Sequence, residues 1–548
     1  MKYLLLLLTA ATTLLAFSPG SFRLQSTAGV WEDDYDLIFD PGRLPLIDGA
    51  RVYTGLSNYV TSNEAVFGLN SSNFILAGAS GHLRDKFAPA VLADGHSYRL
   101  PQYTYLQDQA GDSLFGSGRV IDVFWQDQDS NGVYDYKQVR AVERNAWTAG
   151  SGSDLLISAG YLSGPSRFGI SLSWEDSTRR QVMPGGNYII NDYDSSLVAG
   201  RIVYRLDDTG HYVTRYRQSA GALVLSGWFG LKDGSQLGLS LGPRLLLDDS
   251  GLDNTMGRRV DYNPGGSPVV GFLRQIGNSS QSLAYQGVQV PLNATLTRSG
   301  EKSESWLYVG GFYQAEKPSG AAGSHAYYSS QRTQYPGDYF IFDTTTHNYR
   351  GLRSSFGGSV RFKELYRMGE RLNLGWSAQL GARGYADSLL DDMQEHGGGR
   401  YDDGDSVQTH ADYTQVTSGA ERWLDREAGY EGWLTLPVGL EFKLVPSVAF
   451  RLGAQHTVTL SDRTKTGQLI SWSPHKTRTV YGDGSFFEEV DSLGRRTASS
   501  EHTFGFDQQT LFSYGAGFRP LDNLQIDLMG FANLVNLTGW RLSATLRF

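Results

Sequence analysis

The chain has 548 residues, a formal net charge of −9 and no cysteine, and 66 of its residues are glycine. The missing cysteines exclude a disulfide framework, thiolate metal sites and cysteine catalysis, and the acidic balance argues against a nucleic-acid partner. The 31 tyrosines, 26 phenylalanines and 11 tryptophans, beside only 17 prolines, are typical of strands and turns and not of helical bundles. A single large β-barrel can reach this length, so one all-β domain is an alternative to several soluble domains.

The N-terminus has the pattern of a secretory signal peptide, which we assign to residues 1–28. A lysine is followed by an apolar run that is too short to be a membrane span. Cleavage after Ser18 would make Pro19 the first mature residue, whereas cleavage after Ala28 follows a cleaner small-x-small site and is preferred.

The exported chain is predicted to begin with a short periplasmic segment, residues 29–50, and to continue as a barrel over residues 51–548. No later window offers about 18 continuous apolar residues, so the sequence predicts no membrane-spanning helix. The first predicted strand is Arg51 to Tyr59. It would pair with the last strand, which closes the barrel and removes both edges of the sheet.

The stretch Gln126 to Tyr136, QDQDSNGVYDY, fits two structures. Asn131-Gly132 between two alternating segments indicates a β-hairpin turn, because both residues tolerate positive φ. The stretch also has the D-x-[DN]-x-[DN]-G spacing of a calcium loop, but Gln138 stands where an EF-hand has its bidentate glutamate. The hairpin is preferred, and a weak Ca²⁺ site in this extracellular loop stays open as the alternative. Its ligands would be Asp127, Asp129, Asn131, the backbone carbonyl of Val133, and Asp135.

Three later segments alternate strictly between apolar and polar residues, the pattern of a strand with one apolar face. They are residues 371–383, 433–444 and 539–548. Each is about ten residues long, whereas strands of soluble proteins usually have about 5–6 residues. That length suits a strand that crosses a bilayer with lipid on one face and water on the other.

The connections between predicted strands alternate between short turns and long polar segments. The short turns lie near residues 81–86, 163–166, 232–235, 299–304, 366–370, 445–446 and 520–523. The long segments are residues 95–153, 175–221, 244–285, 316–354, 384–430 and 461–510. This alternation predicts an all-β, transmembrane, antiparallel up-and-down β-barrel of about 16 strands, with short periplasmic turns and long extracellular loops. Counts from 14 to 18 stay open, because segments within residues 95–221 fit either hairpins in loops or further spans.

These features together resemble the outer-membrane β-barrel proteins of Gram-negative bacteria. The resemblance covers nearly all of the exported chain and includes the aromatic residue Phe548 at the end of an alternating last strand. It implies a location in the outer membrane and contact with its lipid. In that class the terminal aromatic residue is read by the barrel-assembly machinery, so the resemblance assigns Phe548 as the assembly signal.

Strand parity predicts a basic lumen although the whole chain is acidic. The residues assigned as pore-lining are Arg361, Lys363, Arg371, Arg383, Glu441, Lys443, Arg451, Asp527 and Arg541. Such a lumen favours anionic solutes, unless these charges only decorate the periplasmic rim. The acidic runs, among them Trp31 to Asp36, are expected to be solvated surface.

The sequence therefore favours a porin-like channel or transporter for small, anionic solutes. The alternative is a non-catalytic barrel that anchors surface loops for adhesion or for binding an envelope partner. A channel for hydrophobic substrates is a third, less favoured hypothesis. No G-x-S-x-G or H-E-x-x-H motif is present, and His456 has no neighbouring serine, so no enzyme is predicted. No cofactor is expected besides the possible Ca²⁺.

Overall fold

The computed structural model describes most of the chain. The described residues are 20–57, 72–82, 86–101, 104–107, 113–116, 118–126, 136–144, 147–184, 187–192, 201–208, 211–262, 271–332, 338–403, 407–491, 497–531 and 541–548. They contain one short α-helix, α1 (Phe22–Ser26), and two 3₁₀ helices, η1 (Asp36–Phe39) and η2 (Leu44–Leu46). Within this part of the chain, no helix is long and apolar enough to cross a membrane.

All other regular structure in these ranges is β-strand. The strands are β1 (Ala50–Ser57), β2 (Ser72–Gly81), β3 (Phe87–Pro101), β4 (Thr104–Gln107), β5 (Ser113–Gly116), β6 (Gly118–Gln126), β7 (Tyr136–Arg144), β8 (Trp147–Ser163), β9 (Ser166–Pro184), β10 (Asn187–Asp192), β11 (Arg201–Asp208), β12 (His211–Gly230), β13 (Gln236–Leu241), β14 (Arg244–Tyr262), β15 (Gly271–Ser299), β16 (Ser303–Arg332), β17 (Asp338–Met368), β18 (Leu372–Asp402), β19 (Tyr413–Val445), β20 (Val448–Tyr481), β21 (Phe486–Asp491), β22 (Ser499–Leu521), β23 (Leu524–Phe531) and β24 (Arg541–Arg547).

Sixteen of these strands close an antiparallel barrel, as predicted. β13 and β14 count as one strand, because both pair with β12 on one side and with β15 on the other. The first strand pairs with the last, with Arg51 opposite Arg547 and Ser57 opposite Arg541. This pairing is the predicted closure, and it gives hydrogen-bonding partners to both edges of the sheet.

The seven predicted short turns are all present between consecutive barrel strands. The segments within residues 95–221 that could have been further membrane spans are not part of the 16-stranded barrel. β6 and β7 form a hairpin, β7 touches β10, and β11 joins β10 to the far end of β14, so these strands extend the wall beyond the bilayer. β4 and β5 form a separate two-stranded hairpin.

The long polar segments are a correction to the predicted loops. Residues 384–430, expected as a loop, mostly continue β18 and β19, which have 31 and 33 residues. A bilayer needs only about 9–11 residues of a tilted strand. Beyond the bilayer both faces of the sheet meet polar surroundings, so the apolar alternation that marks a strand in the sequence disappears while backbone pairing goes on.

An apolar belt surrounds the barrel on the side of the short turns. The residues predicted to face lipid on β18 and β19 do point outward, with Leu380 65 % and Leu436 40 % exposed. Comparable outward residues follow around the wall, including Ile170, Leu225, Leu292, Phe356, Leu452 and Phe512. A closed barrel with this belt satisfies its backbone polar groups internally, which a bilayer requires.

The interior at the turn end of the barrel contains residues Gly20–Gly49, which we call the plug segment. Helix α1 packs against β20, β22 and β23, and η2 packs against β3 and β8 on another part of the wall. The plug segment and the wall share one buried apolar cluster, to which the plug gives Tyr35, Ile38, Leu44 and Ile47 and the wall gives Tyr53, Leu76, Ala88, Ala90, Leu92 and Leu156. Burial of an aliphatic side chain of this size contributes roughly 1.5–3 kcal/mol.

Candidate functional site

The plug segment is held in a compact form by one buried carboxylate. Asp36 accepts hydrogen bonds from the backbone N–H of Ser21 at 2.6 Å, from Ser21 Oγ at 2.7 Å and from the N–H of Asp33 at 2.7 Å. Ser21 Oγ also accepts from the N–H of Leu24 and so caps α1. Burial, and then the nearby charge of Glu32, raise the pKa of Asp36 to about 6. Asp36 therefore connects the start of the segment to its middle.

Glu32 is the charged centre of the contact between plug and wall. Its carboxylate accepts from Lys363 Nζ on β17 at 3.0 Å and from the guanidinium of Arg43 at 2.8 Å. Burial alone would raise the pKa of Glu32, but the two cations outweigh it and lower that pKa to about 2. Lys363 is itself only 2 % exposed. Glu32 is thus ionised at neutral pH, and its release from the wall would leave a buried lysine without this anion.

A second charged junction lies on β19, β20 and β23. The guanidinium of Arg23 in α1 donates two hydrogen bonds to Glu441, each 2.8 Å long. Arg451 donates to the same carboxylate at 2.9 Å and to Asp527 at 2.5 Å. Asn373 Nδ2 also donates to Glu441. The plug cation therefore completes a network of wall charges.

A third junction lies on β12, next to the end of the plug segment that leads to β1. Trp228 Nε1 donates to Asp40 at 2.8 Å, and Ser226 Oγ donates to the other oxygen of that carboxylate. Arg51 on β1 donates to Asp34 at 2.9 Å. The plug is thus bonded to strands on several parts of the wall.

Glycines in the wall let the plug backbone come close. A Cβ at Gly169 would lie 2.0 Å from the carbonyl carbon of Pro41, and one at Gly439 would lie 2.4 Å from the carbonyl oxygen of Thr27. Real Cβ atoms do not approach a backbone so closely. A side chain at either position would therefore displace the plug segment or the strand.

The structure brings most of the residues assigned as pore-lining into this contact. Lys363 and Glu441 bind plug side chains, and Arg361 donates to the carbonyl of Gly29 at 2.7 Å. Arg451 and Asp527 belong to the network around Glu441.

The remaining assigned residues lie outside this contact. Arg383 pairs with Glu431 of the neighbouring strand at 2.6 Å. Arg371 is exposed in the turn between β17 and β18, and Lys443 lines a cavity at the turn end. Arg541 begins β24, and its side chain lies outside the described part of the structure. Phe548 is 72 % exposed and its backbone pairs with Ala50, but its role as an assembly signal stays a prediction.

The acidic run Trp31 to Asp36 is the part of the site that the sequence pattern does not predict. It was expected at the solvated surface, but Glu32, Asp34 and Asp36 make their contacts inside the barrel. The physical reason is charge pairing, because a basic lumen stabilises acidic side chains that would be costly to bury alone. The sequence did contain one indication of this contact, because the predicted lumen is basic and the N-terminal run is acidic.

The calcium-loop prediction lies outside the described residues. Its five ligands fall within residues 127–135, between β6 and β7. β6 and β7 pair with each other, with Gln126 opposite Tyr136. This pairing is expected both for a plain hairpin turn and for a calcium loop at the tip of the hairpin. The weak Ca²⁺ site stays a prediction.

A cavity of about 870 Å³ lies beside the plug segment at the turn end. Eight basic and six acidic residues line it, and they come from both the plug and the wall. The cavity is large enough for a small polar solute, since ligand pockets commonly have about 300–1,000 Å³. We call this polar cavity, which lies beside the plug segment, the vestibule.

The closed barrel and its apolar belt decide the class of the molecule, because closed barrels are the one sheet architecture that spans a bilayer. The chain is a transmembrane β-barrel. No protein-family profile matches this barrel, and no curated protein matches it.

Solved structures to which the barrel is similar include a transporter and an outer-membrane receptor. The FrpB iron transporter of Neisseria meningitidis is 11 % identical with a TM-score of 0.27, covering 93 % of this chain and 83 % of its own. The pyoverdine receptor FpvA of Pseudomonas aeruginosa is 7 % identical with a TM-score of 0.26, covering 92 % of this chain and 79 % of its own. At these values the likeness adds nothing to the assignment, which rests on the strand pairing and the belt.

Proposed function

We propose that this barrel is a gated channel or transporter for small polar solutes, and that the plug segment is its gate. The observation that carries the proposal is the set of bonds from the plug to β1, β12, β17, β19 and β22. The set includes the ion pairs of Glu32 with Lys363 and of Arg23 with Glu441. A segment held by discrete polar contacts can leave the wall as a unit, whereas a lumen filled by side chains of the wall itself would stay closed.

The preference for anionic solutes that the sequence predicts belongs to this proposal. With the plug in place, Glu32 neutralises Lys363, Asp34 neutralises Arg51, and the vestibule has both signs of charge. Movement of the plug would carry Glu32 and Asp34 away and uncover these cations. The anion preference is therefore expected in the open state.

The conductance of the refolded full chain in planar bilayers tests the gate. The unmodified protein is expected to open rarely, and Glu32→Gln is expected to raise the open fraction about tenfold or more. The reason is that a neutral residue leaves Lys363 buried without its anion, a change that costs about 3–5 kcal/mol in the docked state. Ion selectivity is then measured from reversal potentials of the open variant.

Glu488→Gln is the matched control, because Glu488 pairs with Lys476 only at 3.7 Å and lies on the exposed strand β21. It should leave the conductance unchanged. Equal open fractions for Glu32→Gln, the control and the unmodified chain would contradict the gate. They would favour the alternative of a barrel that anchors surface structure, which the long polar ends of β15 to β20 would provide.

The same contacts bear on the maturation of the chain. We infer that residues 20–28 are retained, so that cleavage follows Ser18 and not Ala28. Arg23 binds Glu441, and the carbonyl of Ser26 accepts from Ser513 Oγ at 3.1 Å, and both contacts would be lost with cleavage at Ala28. The mass and N-terminal sequence of protein purified from outer membranes are expected to begin at Pro19. A first residue of Gly29 would contradict this inference.

A further inference from the structure

Two buried carboxylates and a histidine meet on the inner face of the wall, on β3 and β8. Asp94 on β3 lies directly opposite Asp154 on β8, and His96 lies opposite Gly152. Because side chains alternate along a strand, Asp94 and His96 point to the same face, and so does Asp154. The three side chains are therefore neighbours on one patch of the lumen.

The carboxylates are buried without donors. Asp94 is 7 % exposed and Asp154 is 3 % exposed. Among the described residues, none of their four oxygen atoms has a hydrogen bond of normal geometry to another group, although the backbone N–H of Asp176 lies close to Asp154. Buried polar groups nearly always have partners, and two facing anions without a cation are strongly unfavourable. This pair needs either a shared proton or a bound cation.

The positions of the ligand atoms fit one metal ion. One atom each from Asp94, His96 and Asp154 lies within 4.8 Å of the other two. Atoms bound to a common zinc ion at about 2.0–2.2 Å lie up to roughly 4.4 Å apart, so small side-chain rotations would complete the site.

The neighbours of the three residues favour this use. A Cβ on Gly152 would lie 2.3 Å from His96 Cε1, so the glycine makes room for the imidazole ring. Glu175 lies opposite Asp154 on β9, but it is bonded to Arg244 and therefore is already neutralised. The patch thus keeps two carboxyl groups and one imidazole for a ligand, and a bound cation would take the place of the proton that the two aspartates otherwise share.

We propose that Asp94, His96 and Asp154 bind a divalent first-row transition metal ion. Imidazole with carboxylate ligands suits Zn²⁺ or Fe²⁺, whereas Mg²⁺ and Ca²⁺ are usually held by oxygen atoms alone. Three protein ligands leave at least one coordination position open to the lumen. All three ligands belong to the wall, so zinc binding is measured separately from channel opening.

Isothermal titration of the refolded full chain with ZnCl₂ tests the site. One equivalent of Zn²⁺ is expected to bind with micromolar or tighter affinity, and the thermal midpoint should rise with Zn²⁺ but not with Mg²⁺. Asp154→Asn and His96→Gln are each expected to weaken zinc binding at least a hundredfold. His96→Gln keeps the test available if Asp154→Asn does not fold, because His96 is only partly buried.

The matched control is another aspartate and histidine on the inner face. His347 Nδ1 and Asp391 are 2.9 Å apart and already bonded to each other, so His347→Gln should leave zinc binding unchanged. The proposal is overturned if the unmodified chain binds no zinc at 1 mM, or if His96→Gln and His347→Gln bind zinc as the unmodified chain does. It is also overturned if Mg²⁺ competes equally with Zn²⁺, because that result would assign the carboxylates to an oxygen-ligand site.

Discussion

Joining the plug to the wall by a disulfide in the variant G42C/S226C is expected to abolish channel openings under oxidising conditions. A Cβ at Gly42 would lie 3.3 Å from Ser226 Cβ, close to the separation of about 3.5–4.5 Å found in disulfides. The natural chain has no cysteine, so this pair would form the only possible intramolecular disulfide. The expected readout is loss of conductance on oxidation and its return on addition of reductant.

The disulfide variant also tests whether the openings expected of the unmodified barrel and of Glu32→Gln use one movement. G42C/S226C in the Glu32→Gln background should be open when reduced and closed when oxidised. The single variants Gly42→Cys and Ser226→Cys control for crowding at Trp228, which a Cβ on Gly42 would meet at 2.9 Å. They should not respond to reductant. Solute flux that persists through the fully oxidised pair would show that the plug segment does not gate the lumen.

The membrane-spanning part of the fold can be predicted from the sequence, because each strand there has lipid on one face and a polar interior on the other. Lipid on one face and a polar interior on the other force the period of two that marks residues 371–383 and 433–444. The seven short turns and the pairing of β1 with β24 follow from this pattern. Beyond the bilayer the constraint ends, so the outer halves of β18 and β19 were expected as loops.

The wall residues of the site were predictable from the sequence, but their partners in the plug segment were not. Parity places Arg361, Lys363 and Glu441 on the inner face from local alternation alone, and their contacts with the plug agree with that orientation. Glu32 is 331 residues from Lys363 along the chain. A contact between residues so far apart produces no repeating pattern in the sequence around either residue, because it depends on how the whole barrel closes. The Asp94 and Asp154 pair was missed for the same reason.

The largest stability effect is expected at Arg451. Its side chain is 5 % exposed and bonds to Glu441 and Asp527, which are 3 % and 5 % exposed. In Arg451→Met the two carboxylates would remain buried with Arg23 as the nearest bonded cation. Loss of one partner from a buried charge network typically costs about 3–5 kcal/mol, so the free energy of unfolding should fall by that amount. Urea unfolding of the barrel in detergent micelles, followed by tryptophan fluorescence, measures it.

Two further variants separate the buried charges from the loss of packing. Arg350→Met removes an exposed arginine, 65 % exposed and 3.2 Å from Asp392, and should cost less than about 1 kcal/mol. Adding Asp527→Asn to Arg451→Met removes one of the stranded anions and should recover part of the lost stability. If Arg451→Met and Arg350→Met have equal effects, the network around Glu441 is not a source of stability. If the double variant is less stable than Arg451→Met, packing and hydrogen bonding dominate over charge. The expected order would identify electrostatic pairing as a source of stability in the wall network that Arg23 of α1 joins at Glu441.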